Sequence, residues 1–166
     1  MHYKRIIQTP HGPIVILAGK NLVRLSWCDL SDHQIPAVKK LFSEARNDPS
    51  LLEHLTSRIL SAVQGENIDF DDIPTPSGTL FQIACWEATR AIPHACSKTY
   101  SEVANMASSP RAVRAIGQAM RANPLPIIIP CHRVTSVRGL GGYCGQAENK
   151  KTCRIKAALI AAEACK

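Results

Sequence analysis

Asn123-Pro124-Leu125-Pro126-Ile127-Ile128-Ile129-Pro130-Cys131-His132-Arg133-Val134 puts a thiol, an imidazole and a guanidinium at the end of a stiff apolar run. Pro124 and Pro126 restrict an extended segment, and Pro130 sets φ immediately before Cys131. A thiol held in a defined place beside His132 and Arg133 has the surroundings a nucleophile needs. Thiolate is the reactive form; its unperturbed pKa is roughly 8.5, and cationic or proton-accepting neighbours lower it. A buried structural cysteine is the plainer reading of the same residues. It applies equally to Cys28, Cys85, Cys96, Cys144, Cys153 and Cys165.

Upstream of this run the pattern is helical. Thr79 is placed to cap a helix through Phe81, Ile83, Ala84, Trp86 and Ala88 that ends before Pro93. A second short helix is expected from Tyr100 to Ala107. Ser109-Pro110 supplies an N-cap followed by proline at the first helical position, so a basic helix is expected from Arg111 to about Ala122. Two helices joined by Ala107-Ser108-Ser109-Pro110, the second bearing Arg111, Arg114 and Arg121, have helix-turn-helix proportions. A plain helical hairpin with solvated arginines has the same spacing.

The first half reads differently. Tyr3 to Trp27 suggests short strands broken at Thr9–Pro13 and again at Gly19-Lys20-Asn21, with Ile14-Val15-Ile16-Leu17 the clearest strand. Residues 36–46 are expected to be helical. Leu51, Leu52, Leu55, Ile59, Leu60 and Val63 recur at helical spacing before a stop at Gly65. Residues 66–78 hold three aspartates, two prolines and a glycine, which marks a linker. The expected division is an α/β support domain over 1–75 and a mainly α domain over 76–166.

Charge follows that division. Residues 1–78 carry eight Lys/Arg against nine Asp/Glu, whereas 79–166 carry twelve against four, so the net charge of +7 sits in the second half. A basic half beside a near-neutral one suits a polyanion partner. No apolar run approaches the roughly 18 residues of a membrane span. The N-terminus has no apolar signal core, and a soluble intracellular protein is expected. Seven cysteines, an odd number without C-x-x-C spacing, fit a reducing compartment better than a disulfide framework or a zinc ribbon. His2, Cys28, His33 and His94 could meet in a metal site only if the fold brought them together.

The run from Asn123 to Val134 resembles the signature of the O6-alkylguanine-DNA alkyltransferases, the methylated-DNA–protein-cysteine methyltransferases. The likeness continues through Gly78-Thr79-Leu80-Phe81-Gln82 with Trp86, Ile92-Pro93, Thr99-Tyr100, and Arg114-Ala115-Ile116-Gly117 up to Asn123. It covers residues 65–143 clearly and the remainder weakly. The resemblance implies a ribonuclease H-like N-terminal domain, a small antiparallel sheet with helices, followed by a helix-turn-helix domain. It implies a single-turnover enzyme that moves a methyl or other alkyl group from O6 of guanine, and from O4 of thymine, onto Cys131. His132 takes the thiol proton, oriented by a glutamate and by Asn123. Duplex DNA would be bound in the minor groove by Arg111, Arg114, Ala115 and Arg121, with Arg114 filling the space left by the extruded base and Tyr100 helping to rotate it. Tyr100, Met120, Pro126, Val134, Tyr143 and Cys144 would line the base and alkyl pocket. No metal or cofactor is implied, and a cytoplasmic monomer (nuclear in a eukaryote) is expected.

Two departures from the family pattern stand out. The turn from Arg133 to Tyr143 is about one residue shorter, and the stretch from Tyr143 to Lys156 is longer by roughly half a dozen, with Gln146 where a small turn residue is usual. The family's closing helix is best matched by Lys156-Ala157-Ala158-Leu159-Ile160-Ala161-Ala162-Glu163, which makes Glu163 the orienting carboxylate; Glu148 is the competing candidate. The main alternative is an alkyltransferase-like protein that binds damage without transfer, although such relatives lack the cysteine. A cysteine hydrolase would leave the basic helix unexplained, and a sequence-reading transcription factor would not need the thiol.

Overall fold

The computed structural model describes residues 3–19, 22–27, 46–47, 53–141 and 150–165. Strands β1 (Tyr3–Ile7), β2 (Ile14–Gly19) and β3 (Leu22–Trp27) form an antiparallel meander. The first turn closes at Gly12, whose φ of +116° an L side chain rarely adopts, and the Thr9 hydroxyl donates to the Gly12 carbonyl at 2.6 Å. A two-residue β4 (Arg46–Asn47) joins β1 in parallel, so the sheet is mixed, in the order β3-β2-β1-β4. The expected helix over 36–46 lies outside the described residues up to 45, and Arg46 itself opens β4.

Helix α1 (Glu53–Val63) buries Leu55, Ile59 and Val63, the spacing of one helical face, against the sheet residues Ile7, Ile14, Ile16 and Leu25. Gly65 ends it with φ +89°. A methyl there would lie 2.1 Å from the Ala162 carbonyl oxygen, so the glycine also permits a backbone-to-backbone approach to the final helix, α5 (Lys150–Ala164).

Residues 66–78 contain neither helix nor strand, yet they are pinned from both sides. Arg58 of α1 pairs with Asp72, donates to the Asp69 carbonyl and lies over the Phe70 ring. Arg90 donates to the carbonyls of Ile73 and Phe70, each at 2.7 Å. Helix α2 (Leu80–Arg90) begins in a capping box in which the Thr79 hydroxyl accepts from the Gln82 amide and the Gln82 side chain accepts from the Thr79 amide.

Helices α3 (Tyr100–Met106) and α4 (Val113–Arg121) pack on α2. Trp86, 2% exposed, donates its indole N–H to the Ala119 carbonyl at 3.0 Å and locks α2 to α4. The α3–α4 turn runs through Ser108 in a left-handed conformation. Helix α4 begins later than the Arg111 start that its sequence predicts. Ser109 and Pro110 form a separate turn closed by the Ala112 amide on the Ser109 carbonyl, and the helix starts two residues later with no side-chain cap. Arg111 therefore precedes α4.

Two short strands, β5 (Lys98–Thr99) and β6 (Val134–Thr135), pair in parallel and set Tyr100 beside the chain that leaves Cys131. One apolar core joins the sheet, α1, α2–α4, the 125–134 segment and α5. The Leu25 amide donates to the Pro124 carbonyl, stitching β3 directly to the segment before the cysteine. Gly65→Ala is expected to destabilise the protein by about 2 kcal/mol or more, from backbone strain plus the carbonyl clash. Urea unfolding that returns wild-type stability would contradict the close α1–α5 approach.

Candidate active site

Cys131 is placed by its backbone. Pro130 has φ −78° and ψ 64°, the inverse γ-turn, and the Cys131 amide donates across it to the Ile129 carbonyl at 2.7 Å. The Asn123 side chain donates to the same carbonyl at 2.8 Å and accepts from the Leu125 amide at 2.9 Å. The Ile129 amide closes a wider turn on the Leu125 carbonyl. Within it Ile127 has φ +79°, an unfavourable conformation for a β-branched residue that the surrounding bonds and burial hold. The family resemblance implies that Asn123 orients His132. Among the described residues its amide instead grips the strand before the nucleophile, because α4 ends beside Ile129.

Cys131, His132 and Arg133 form a single 3-10 turn. The His132 Nε2 lies 2.9 Å from Glu163 Oε1, and both residues are buried. Arg133 covers the same carboxylate with Nε at 3.0 and 3.2 Å and Nη2 at 2.9 Å, while Nη1 donates to the Ile92 carbonyl. The Ala95 amide adds a donor at 3.3 Å. Burial alone would raise the Glu163 pKa, but the bonds from His132 and Arg133 outweigh it and bring the carboxyl down to about 2. Burial lowers the His132 pKa despite the opposing pull of Glu163. An ionised carboxylate beside a neutral imidazole makes Nε2 the donor and leaves Nδ1 the base. Glu148, the competing candidate, lies outside the described residues.

Tyr100 begins α3 and is buried. Gly141, at φ +88°, presses its backbone against the ring; a methyl there would lie 2.7 Å from Cε2. On the other side, Gly117 of α4 leaves ordinary contact distance to the ring. Lys156, fully buried, donates to the Val134 carbonyl at 2.5 Å with its ammonium 5.7 Å from the Tyr100 ring centroid. The burial of Lys156, and the clamp Arg133 makes on Glu163, carry no local signal in the sequence beyond charge among apolar neighbours.

The other expected residues divide clearly. Arg111, Arg114, Ala115 and Arg121 are exposed, and the last three share one face of α4 with Gln118. Val134 is buried at the start of β6. Pro126 is partly exposed. Met120 is buried against α2, where its sulfur lies 3.4 Å from the Thr89 hydroxyl. Tyr143 and Cys144 lie outside the described residues. So do His2, Cys28 and His33, while His94 has its Nε2 3.0 Å from the Gly65 carbonyl. No group of three metal-ligating side chains is present among the described residues. Cys85 is a core residue whose thiol burial pushes up to about 11.

Residues 80–165 match the model of the 6-O-methylguanine DNA methyltransferase DNA-binding domain. The chain belongs to this methyltransferase family. It is 33% identical over 161 residues to the constitutive methylated-DNA–protein-cysteine methyltransferase of Bacillus subtilis, covering 96% of this chain and 94% of that one. Among solved structures of the family, the O6-methylguanine methyltransferase of Mycobacterium tuberculosis superposes with a TM-score of 0.80 at 30% identity, covering 99% of this chain and 94% of that one. The same bacterium's protein in complex with DNA gives a TM-score of 0.77 at 29% identity, with coverage of 98% and 93%. The methyltransferase fold thus extends through the N-terminal sheet as well as the matched domain.

Glu163→Gln removes the buried charge while keeping its shape, and should cost about 3 kcal/mol at pH 7 because His132 and Arg133 lose their anionic partner. The folded-state pKa of Glu163 is below its unfolded value, so its contribution is present above pH 4.5 and is lost as pH falls through about 2. The stability gap between wild type and variant should therefore narrow between pH 4.5 and 2 in urea titrations. A gap independent of pH would contradict the pairing.

Proposed function

We propose that the chain repairs DNA by transferring a methyl or larger alkyl group from O6 of guanine, and O4 of thymine, to its own Cys131. The observation that carries this reading is a buried cysteine held by a γ-turn next to a histidine polarised by an ionised glutamate. Relatives named as methylated-DNA–protein-cysteine methyltransferases support it, as does the related structure solved with DNA.

A base inside a duplex hides its O6 substituent, so the damaged nucleotide must rotate out of the stack. The second of two packed helices, α4, presents Arg114, Ala115, Gln118 and Arg121 on one exposed face, with Arg111 just before it. We assign α3 and α4 to a helix-turn-helix that docks in the minor groove, where little sequence is legible, which suits a search for damage at any site. Arg114 enters the stack behind the departing base, and Tyr100 guides the nucleotide and donates to it. His132 Nδ1 accepts the Cys131 proton, directly or through a water. The sulfur attacks the alkyl carbon in line; the new C–S bond forms as the C–O bond breaks, and its electron pair stays on the guanine oxygen. Glu163 holds the imidazolium, and the base recovers a proton on release. The thioether has no ready leaving group, so each molecule reacts once. The transfer as written consumes no cofactor.

Residues 1–75 serve as a support domain in this reading. The sheet order β3-β2-β1-β4 with β4 parallel to β1 supports a ribonuclease H-like assignment. The working protein is a cytoplasmic monomer, and no helix of the described residues is long and apolar enough to cross a membrane.

Incubation with duplex containing O6-methylguanine should add one methyl to the peptide holding Cys131, none to Cys131→Ala, and never more than one equivalent of repaired product. Intact-mass analysis reads this directly, and an unmodified Cys131 in folded protein would overturn the transfer. Arg114→Ala should slow repair of duplex at least tenfold more than reaction with free O6-benzylguanine, since only the duplex requires rotation. Equal losses on both would remove Arg114 from that role.

A further inference from the structure

One oxygen of Glu163 serves two donors. Oε1 accepts from His132 Nε2 at 2.9 Å and from Arg133 Nη2 at 2.9 Å. Arg133 Nε reaches both carboxylate oxygens, at 3.2 Å to Oε1 and 3.0 Å to Oε2. The two donors are not equivalent. A guanidinium keeps its proton and its charge, whereas an imidazole titrates. Nη1 is tied to the Ile92 carbonyl at 2.8 Å, so the guanidinium is anchored on its far side in either state of His132.

The charges sum differently in those two states. With His132 neutral, Glu163 and Arg133 cancel. A proton on Nδ1 turns the buried trio into a net +1, which burial penalises. Without Arg133 the same proton would neutralise Glu163, and burial would favour it. Arg133 thus opposes, at a shared oxygen, the pull of Glu163 on the imidazolium. Lys156, fully buried on α5, is a second cation acting in the same direction. His132, Arg133 and Glu163 also border a cavity of about 330 Å³. Across it Glu66, Asp69 and Asp71 are exposed, Arg90 is tied to two backbone carbonyls, and His94 lies against the Gly65 carbonyl. Solvent screens those exposed acids, so they are weak counterweights to a guanidinium in direct contact.

We infer that Arg133 is a positioning residue for the alkyl transfer: bonded to the oxygen that orients His132, it keeps the imidazole neutral at rest and makes the imidazolium a short-lived proton carrier. This rests on the reading of His132 as the base. The Cys131 proton moves to Nδ1 as the C–S bond forms and the C–O bond breaks. The electron pair left on guanine then accepts that proton, and His132 is neutral again. An imidazolium facing an unshared carboxylate would retain the proton; beside Arg133 it gives the proton up. Arg133 acts through Glu163 and not on the reacting atoms.

The test is the pH dependence of the single-turnover reaction with O6-benzylguanine, paired with an NMR titration of His132 in the same proteins. The rate falls at low pH because a protonated His132 cannot take the thiol proton. Arg133→Gln should move that acid limb and the His132 midpoint to higher pH by about one unit, since no adjacent cation then opposes protonation. Glu163→Gln should move both to lower pH. Arg133→Lys keeps the charge but not the fork that spans both oxygens, and should titrate between wild type and Arg133→Gln. Opposite displacements separate a charge effect from loosened packing, which would slow both variants without driving their midpoints apart. A midpoint unmoved in Arg133→Gln, or moved downward as in Glu163→Gln, overturns the proposal. Where Arg133→Gln does not fold, Arg133→Lys must still titrate above wild type. If wild-type protein leaves Cys131 unmodified, the transfer reading fails, while the His132 titration still decides whether Arg133 sets its protonation.

Discussion

One buried carboxylate organises the reactive end of this molecule. Glu163 receives hydrogen bonds from His132, from Nε and Nη2 along one edge of the Arg133 guanidinium and from the Ala95 amide. Two segments remote in sequence thereby converge on one carboxylate of the final helix. A carboxylate so surrounded stays ionised, and an ionised partner fixes which imidazole nitrogen bears the proton. The chemistry available to Cys131 follows from that choice, since a neutral His132 with a free Nδ1 is a base and an imidazolium is not. Buried ion pairs contribute little net stability after desolvation. The value of this one is orientation.

Two features deliver that carboxylate. The absence of a side chain at Gly65 lets the end of α1 reach the backbone of α5, and Lys156, buried on the same helix, anchors α5 to the strand leaving the cysteine. On the opposite side, Asn123 and the Pro130 turn hold the Ile129 carbonyl, and through it the Cys131 amide. The strained Ile127 belongs to the same device. Its unfavourable φ persists because proline-stiffened neighbours and the core leave the segment no alternative path. The nucleophile is thus located by a backbone turn that the Asn123 side chain braces, and the base by the buried Glu163 carboxylate.

Tyr100 joins this centre to the exposed helix. The β5–β6 pairing brings it beside the chain from Cys131, and two glycines, Gly117 and Gly141, meet its ring from either side. The missing side chain at Gly141 lets its backbone close on one edge of the ring, and Gly117 leaves the other edge at ordinary contact distance. The arginines of α4 lie outside, in solvent, where a polyanion can reach them without any desolvation of the core.

Much of this was legible along the chain. Thr79 predicted the cap of its helix, the proline-bracketed run predicted a rigid cysteine, and the spacing in Leu55, Ile59 and Val63 predicted the buried helical face, because each depends on neighbours within a few residues. The start of α4, the target of the Asn123 amide, the burial of Lys156 and the grip of Arg133 on Glu163 were decided by tertiary packing. Each depends on which group the folded chain brings alongside, whether a turn a few residues away or a helix thirty residues on, and a side chain's local pattern states its appetite for a partner but not the partner's address. The sequence alone therefore determined that Cys131 is held and flanked by base and cation. Only the folded chain decided which carboxylate completes the set, since thirty residues of intervening chain had to bring Glu163 within hydrogen-bonding distance of His132.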